Sequence, residues 1–270
     1  MTEQLIDTHC HIHSVGKDVE EHTAAKWSEL NQSPEEVIER ANKAGITKFI
    51  CVGTDLADSI KAVQFAQTHD NCYAAVGIHP HEARHFIANN AYKKDFIELL
   101  KQPRVVAIGE CGLDYFYSHS TPSDQSTILK FQLDLAIENN LPVIFHVREA
   151  FNDFWPLFNR YTDSLKGVLH SFTDTEETLV EAINRGLYIG VNGIATFAKA
   201  NQGKMFKSIP LSNLLLETDA PYLTPAPYRG NINEPKYIVR VAEYMSDLKG
   251  VKIDELVKAT TNNANLLFGI

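Results

Sequence analysis

Leu5-Ile6-Asp7-Thr8-His9-Cys10-His11 opens on two aliphatic residues and closes on a pair of imidazoles. Leu5 and Ile6 read as the start of a short buried strand. Side chains alternate faces along a strand, so His9 and His11 share one face and Cys10 takes the other. Two imidazoles on one face at a strand end are placed to grip one metal ion. HxH alone is a weak signal, and its meaning rests on whether the rest of the chain brings further ligands.

Outward from this stretch, strand-like and helix-like runs alternate to the end. Strands are expected at 5–11, 48–53, 73–79, 105–110, 142–147, 167–172, 187–191 and 214–219. They are rich in Val, Ile and Leu with little polar alternation, as strands covered on both faces should be. Ser33-Pro34-Glu35-Glu36 supplies an N-cap, a proline at the first helical position and a capping-box glutamate, and Gly45 is placed to end that helix. Asp174-Thr175-Glu176-Glu177 opens another in the same style, closed by Gly186. Further helices fit 56–67, 91–101, 123–139, 150–161, 199–207, 234–248 and 254–268. Eight βα units without a composition break predict a single (β/α)8 TIM barrel, one domain over residues 1–270. A doubly wound open sheet is the weaker alternative, because no Gly-rich phosphate loop follows the first strand. Residues 12–32 are long for a first connection, and their charges suggest an exposed lid or insertion.

A chain of 270 residues, 44% hydrophobic and 22% charged, has the composition of a soluble globular protein. No apolar run approaches the roughly 20 residues that span a bilayer. Met1-Thr2-Glu3-Gln4 lacks a basic n-region, and a cleaved leader would remove the imidazole pair, so the reading is cytoplasmic. Cys10, Cys51, Cys72 and Cys111 show no CxxC spacing and fit buried thiols in a reducing compartment. A net charge of −9 argues against a surface that coats nucleic acid broadly, since such binding needs Lys and Arg to displace counterions. It leaves room for a protein that holds one nucleic-acid end in a metal-lined pocket.

In such a barrel the active site lies at the C-terminal ends of the strands, the metal site included. The first strand ends in His9 and His11, the third runs into Gly77-Ile78-His79-Pro80-His81, and the fourth ends at Glu110. The fifth ends in His146 and Arg148, the sixth in His170 and the eighth in Asp219. Four histidines and two carboxylates, His9, His11, His146, His170, Glu110 and Asp219, would then meet at one mouth. Unpaired, each would carry a desolvation cost of roughly 1–3 kcal/mol, which a metal centre relieves collectively. Imidazole and carboxylate without thiolate suit Zn, Mn, Fe, Co or Mg. Six ligands exceed one tetrahedral ion, so two divalent ions about 3.5–4 Å apart are expected, with Glu110 bridging them. Asp219 would bind one ion and accept the proton of the water held between the two, and the resulting hydroxide implies hydrolysis. Asp7 and Glu217, one layer deeper, either orient ligand imidazoles or close the barrel floor. His13, His22, His69, His85 and His119 are read as solvated, and Cys111 as core packing rather than a nucleophile.

These residues resemble the TatD-like metal-dependent deoxyribonucleases of the amidohydrolase superfamily. The resemblance runs through Asp7-Thr8-His9-Cys10-His11, the stretch from Gly77 to His81, Gly109-Glu110-Cys111-Gly112-Leu113-Asp114-Tyr115 and His146-Val147-Arg148-Glu149-Ala150. It continues through His170-Ser171-Phe172, Glu217-Thr218-Asp219-Ala220-Pro221, Arg229-Gly230-Asn231 and Asn262-Asn263-Ala264. It implies a TIM barrel, two divalent metals (Zn, Mg or Mn) and hydrolysis of phosphodiester bonds at DNA ends, typically 3′ to 5′ on single strands. It makes the same six residues ligands and turns His79 and Arg229 toward substrate. Some relatives are described as removing D-amino acids from mischarged tRNA, so a D-aminoacyl-tRNA deacylase is the second expectation. The sequence departs from the family at Cys111, at Ser171-Phe172-Thr173-Asp174 and in the long acidic first loop; none of these is a ligand. Phosphate oxygens would be met by Arg148 and Arg229. Lys199, Lys204 and Lys207 suit a solvated helix face better than the approach, and Tyr115 and Tyr222 could stack on a base or simply pack.

Overall fold

The computed structural model describes residues 4–16, 22–88, 92–161, 164–197 and 200–270. Eight parallel strands follow one another in chain order in one sheet. They are β1 (Leu5–Cys10), β2 (Ile46–Val52), β3 (Cys72–Val76), β4 (Val105–Asp114), β5 (Val143–Arg148), β6 (Gly167–Leu169), β7 (Tyr188–Val191) and β8 (Leu214–Leu216). The chain beyond β8 returns to β1: Cys10 bridges Ala220, Asp219 N donates to His9 O at 2.8 Å, and His11 N donates to Ala220 O at 2.9 Å. This is the expected (β/α)8 barrel. Its strand residues Ile50, Ile108, Ile144 and Leu215 are fully buried, as strands covered on both faces require.

The helices among the described residues are α1 (His22–Ser28), α2 (Pro34–Lys43), α3 (Leu56–Thr68), α4 (Ala83–Ala88), α5 (Tyr92–Leu100) and α6 (Pro122–Glu138). They continue with α7 (Phe151–Phe158), α8 (Glu176–Asn184), α9 (Ala200–Ser208), α10 (Ile238–Lys249) and α11 (Ile253–Phe268). Capping chemistry sets their starts. Glu36 N donates to Ser33 Oγ at 3.3 Å while Ser33 N donates to Glu36 Oε2 at 2.8 Å, a complete capping box for α2. Thr175 Oγ1 accepts from Thr178 N at 3.2 Å and opens α8.

Packing divides the chain into two compact units, Met1–Cys51 with Ser171–Ile270, and Val52–His170. In the first, Arg40 clamps the buried Glu234 through Nε at 2.7 Å and Nη2 at 2.6 Å, fixing α2 to the segment after the last strand. Asn263 on α11 donates to Leu211 O at 2.7 Å and Leu214 O at 2.9 Å, satisfying backbone at the start of β8. In the second, Phe145 packs edge-on to Phe154 and Phe158 under β5. Gln125 and Gln132, seven residues apart on α6, are both buried. Gln132 exchanges two hydrogen bonds with the Ile78 backbone (2.8 and 3.1 Å), and Gln125 exchanges two with Asp114 (2.8 and 2.9 Å). Two side chains of one helix thus pin the chain immediately before His79 and at the end of β4.

The structure corrects several sequence expectations. β4 runs four residues past Glu110, whereas β6 and β8 end early, so His170 and Asp219 stand just beyond their strands. The first connection is not a free lid. Ile12–Ser14 forms a buried 3-10 turn, and Ala24 and Trp27 of α1 are buried. Trp27 Nε1 donates to His11 O at 3.0 Å, so the segment is anchored to the end of β1; residues 17–21 lie outside the described set. His13, expected in solvent, is fully buried in that turn. No helix among the described residues is long and apolar enough to cross a membrane.

Candidate metal centre

Strand alternation delivers His9 and His11 to the same neighbour. In the first unit, Asp219 Oδ1 lies 3.6 Å from His9 Nε2 and 3.3 Å from His11 Nε2. Asp219 is held in a left-handed conformation, φ 57°, by bonds on either side of it. Thr218 N donates to Asp7 Oδ1 at 3.0 Å, and Thr218 Oγ1 bonds Asp7 Oδ2 at 2.5 Å. Asn233 Nδ2 donates to Thr218 O at 2.9 Å and to Tyr222 O at 2.5 Å. Burial pushes the Asp7 carboxyl up to about 8 against these Thr218 bonds. Asp7 therefore fixes the backbone beside Asp219 instead of orienting an imidazole. Glu217 Oε1 accepts from Ser171 N at 2.7 Å and Asn192 Nδ2 at 3.2 Å, bracing the chain after β6 and β7.

In the second unit the centre of attraction is Glu110. Its Oε1 lies 2.7 Å from His146 Nδ1, 3.6 Å from His79 Nε2 and 3.6 Å from His170 Nε2. Asp114, which the sequence reading passed over, is the second hub: Oδ2 lies 2.9 Å from His146 Nε2 and 3.1 Å from His81 Nε2. The signal was present, since Glu110 and Asp114 are four apart on one strand and share a face. Both ring nitrogens of His146 face carboxylates; burial lowers this imidazole, but the bonds to Asp114 and Glu110 outweigh it and the net shift is upward. Burial likewise works to raise Asp114, yet bonds from His146, His81 and Tyr117 N hold it well below the usual carboxylate range. His79 differs. Its Nδ1 accepts from His81 N at 3.2 Å, which leaves the proton on Nε2, and burial keeps the ring neutral. A neutral ring with Nε2–H is a hydrogen-bond donor and not a metal ligand. The Cys111 thiol is driven upward by burial and by Glu110, the opposite of an activated nucleophile.

Gly112 makes this arrangement possible. It pairs with His146 between β4 and β5, and a Cβ there would stand 1.8 Å from His146 O. Gly112→Ala is expected to cost about 3 kcal/mol or more, the upper end of overpacking, because the obstructing atom is backbone. Chemical denaturation measures this, and a stability within 1 kcal/mol of the parent would contradict the close approach.

The spacing of the donors tests whether they suit an ion. Atoms about 2.0–2.2 Å from one tetrahedral ion lie about 3.3–3.6 Å apart. The 3.3 and 3.6 Å separations around Asp219 and the 3.6 Å separation of His170 from Glu110 fall in that range. His9, His11 and Asp219 can together offer atoms within 4.8 Å of one another; the group of His79, Glu110 and His146 is as close, and with His79 a donor its ion-facing members are Glu110 and His146. At His146 the 2.7 Å contact is a direct hydrogen bond, so an ion would take that nitrogen only after its proton leaves. The residues present fit divalent metal. The two predicted substrate arginines are both exposed and both lie over rings: Arg148 Cζ is 3.8 Å from the Phe116 centroid, Arg229 Cζ 4.0 Å from that of Phe197. Tyr222 packs edge-on to His11, with its hydroxyl 3.1 Å from Thr23 Oγ1, and Tyr115 donates to Asp153 at 2.9 Å. Lys204 and Lys207 are exposed on α9, and Lys199 lies outside the described residues.

Barrel and donor set define a class, the metal-dependent hydrolases. A family model described as "TatD related DNase" matches residues 6–269, and the chain belongs to that family. It is 36% identical over 98% of its length, and 99% of the relative's, to the "uncharacterized metal-dependent hydrolase YabD" of Bacillus subtilis. It is also 36% identical to the "3'-5' ssDNA/RNA exonuclease TatD" of Citrobacter rodentium, covering 90% of this chain and 94% of that one. The crystal structure of YjjV, a TatD homologue from Escherichia coli, superposes with a TM-score of 0.86 over 100% of both chains at 29% identity.

Proposed function

We propose that the protein is a divalent-metal-dependent phosphodiesterase that removes nucleotides from the 3′ end of single-stranded nucleic acid. The observation that carries this reading is the pair of donor groups spaced for ions, one around Asp219 and one around Glu110. Both come from the C-terminal ends of barrel strands, where such enzymes build their sites. The exonuclease name of the Citrobacter rodentium relative supports the substrate. In this reading the chain acts as one domain and holds two ions, with His9, His11, Glu110, His146, His170 and Asp219 as ligands. Bound there, divalent ions supply Lewis acidity and lower the pKa of water to near neutrality.

The chain's own groups do the rest. Asp219, whose Oδ1 faces His9 and His11, accepts the proton of the attacking water. Asp114 holds His146 through Nε2, which sets the ring's orientation and leaves Nδ1, beside Glu110, to face an ion once its proton has left. His79 offers its Nε2–H to a phosphate oxygen, and Arg148 and Arg229 neutralise the backbone charge that a chain of net −9 would otherwise repel. Four buried thiols suit a reducing cytoplasm.

Chelation of the purified protein is expected to abolish cleavage of a 3′-ended single-stranded oligonucleotide, and Mn, Mg or Zn added back singly should restore it. A chelated protein as active as the starting material would sink the metal reading. An intact oligonucleotide under every ion, with cleavage of a D-aminoacyl ester on tRNA instead, would move the function to a deacylase.

A further inference from the structure

The four residues after Asp114 carry three rings outside the donor cluster, and two of them face solvent. Phe116 and Tyr117 are 48% and 44% exposed. They are held out by design of the hydrogen bonding: Phe116 N and Tyr117 N both donate to Asp114 Oδ1, at 3.0 and 3.1 Å. The other oxygen of that carboxylate bonds His146 and His81. One side chain thus ties the rings to the donor cluster.

Three further observations bear on what the rings receive. The Arg148 guanidinium, two residues beyond His146 on β5, lies 3.8 Å over the Phe116 ring and 5.2 Å from that of Tyr117. A run of rings leads inward from Tyr117 to His81 at 5.4 Å, with His119 4.6 Å from His81. Beside them opens a cavity of about 420 Å³ lined by Asp114, Tyr117, His119, Ser120 and Arg84, a volume suited to one small organic ligand.

We propose that Phe116 and Tyr117, with Arg148, form a stacking subsite for an unpaired nucleobase of a single-stranded end, and that the adjoining cavity holds that nucleotide. The proposal rests on the phosphodiesterase reading and adds the group that recognises the strand. Aromatic faces accept any base, and a guanidinium on the ring offers its N–H edge to the phosphate. A chain of net −9 cannot rely on general electrostatic attraction, so stacking next to the donor cluster supplies affinity that the overall charge withholds. A paired base could not reach the rings, which gives a preference for single strands.

The test compares a single-stranded oligonucleotide with its counterpart carrying abasic sites at the last two 3′ positions. The full-length chain, loaded with the ion that supports cleavage, is assayed for kcat and KM. Binding is followed by anisotropy on the same pair with a 3′-terminal phosphorothioate that resists hydrolysis. The parent should favour the intact oligonucleotide about tenfold or more in KM and Kd, with kcat little changed. Phe116→Ala/Tyr117→Ala should bind both at the weaker level, and the ring-exchanged Phe116→Tyr/Tyr117→Phe should keep the preference. If the alanine pair still discriminates, or the parent cleaves both alike, the subsite is wrong while the phosphodiesterase reading stands. A parent that neither binds nor cleaves either strand overturns both. Conversion of a dimer to a monomer with discrimination intact would assign the rings to a second copy of the chain and end the proposal.

Discussion

Glu110→Gln is expected to lower kcat/KM on a 3′-ended oligonucleotide by about 10²–10⁴-fold at saturating metal. The glutamine keeps the shape and one carbonyl oxygen but removes the charge toward which three imidazoles are directed, at 2.7, 3.6 and 3.6 Å from Oε1. Removing one preorganised electrostatic group of a reaction centre costs about 10²–10³-fold in kcat, and the disturbed metal environment adds about a further tenfold, which sets the stated range. Bound metal measured by elemental analysis should fall with the rate. The barrel itself should persist, because His146 keeps Asp114 on its other nitrogen at 2.9 Å. A variant with full metal content and full rate would show that Glu110 braces His146 and nothing more.

The sequence announced much of this arrangement. Alternation along β1 correctly put His9 and His11 on one face, and Asp219 Oδ1 meets both. The helix starts at Ser33 and Thr175 were readable because their chemistry is local to four residues. What escaped was set by neighbours distant in the chain. The fourth strand was expected to end at Glu110, and only the approach of His146 O shows that Gly112 lets β4 run on to Asp114. His13 sits in no periodic pattern, so a polar residue in a connection was assigned to solvent; the buried turn at Ile12–Ser14 reverses that. The first connection looked like a lid by its charge, whereas Trp27, a single apolar side chain, decides that it is anchored. Residue types were legible, and the hydrogen bond that marks His79 as a donor was not.

Asp219→Asn separates two roles that Glu110→Gln merges. Asparagine tolerates the left-handed backbone at φ 57° almost as well as aspartate, so the loop is undisturbed. Bonds among Asp7, Thr218 and Asn233 hold the segment from either side and remain in the variant. His9 and His11 remain to retain an ion, so metal content should fall less than in the Glu110 variant. What disappears, on the proposed mechanism, is the group that takes the proton from water, and a positioned acid or base contributes about 10²–10⁴-fold. The loss should therefore appear in kcat with KM close to the parent value. Asp219→Ala should lose the same factor and in addition unfold more easily, since a residue with no polar side chain at positive φ costs about 1 kcal/mol or more. Equal kcat in parent and asparagine variant would remove Asp219 from proton transfer. A loss confined to metal content, restored by excess ion, would make it a ligand only.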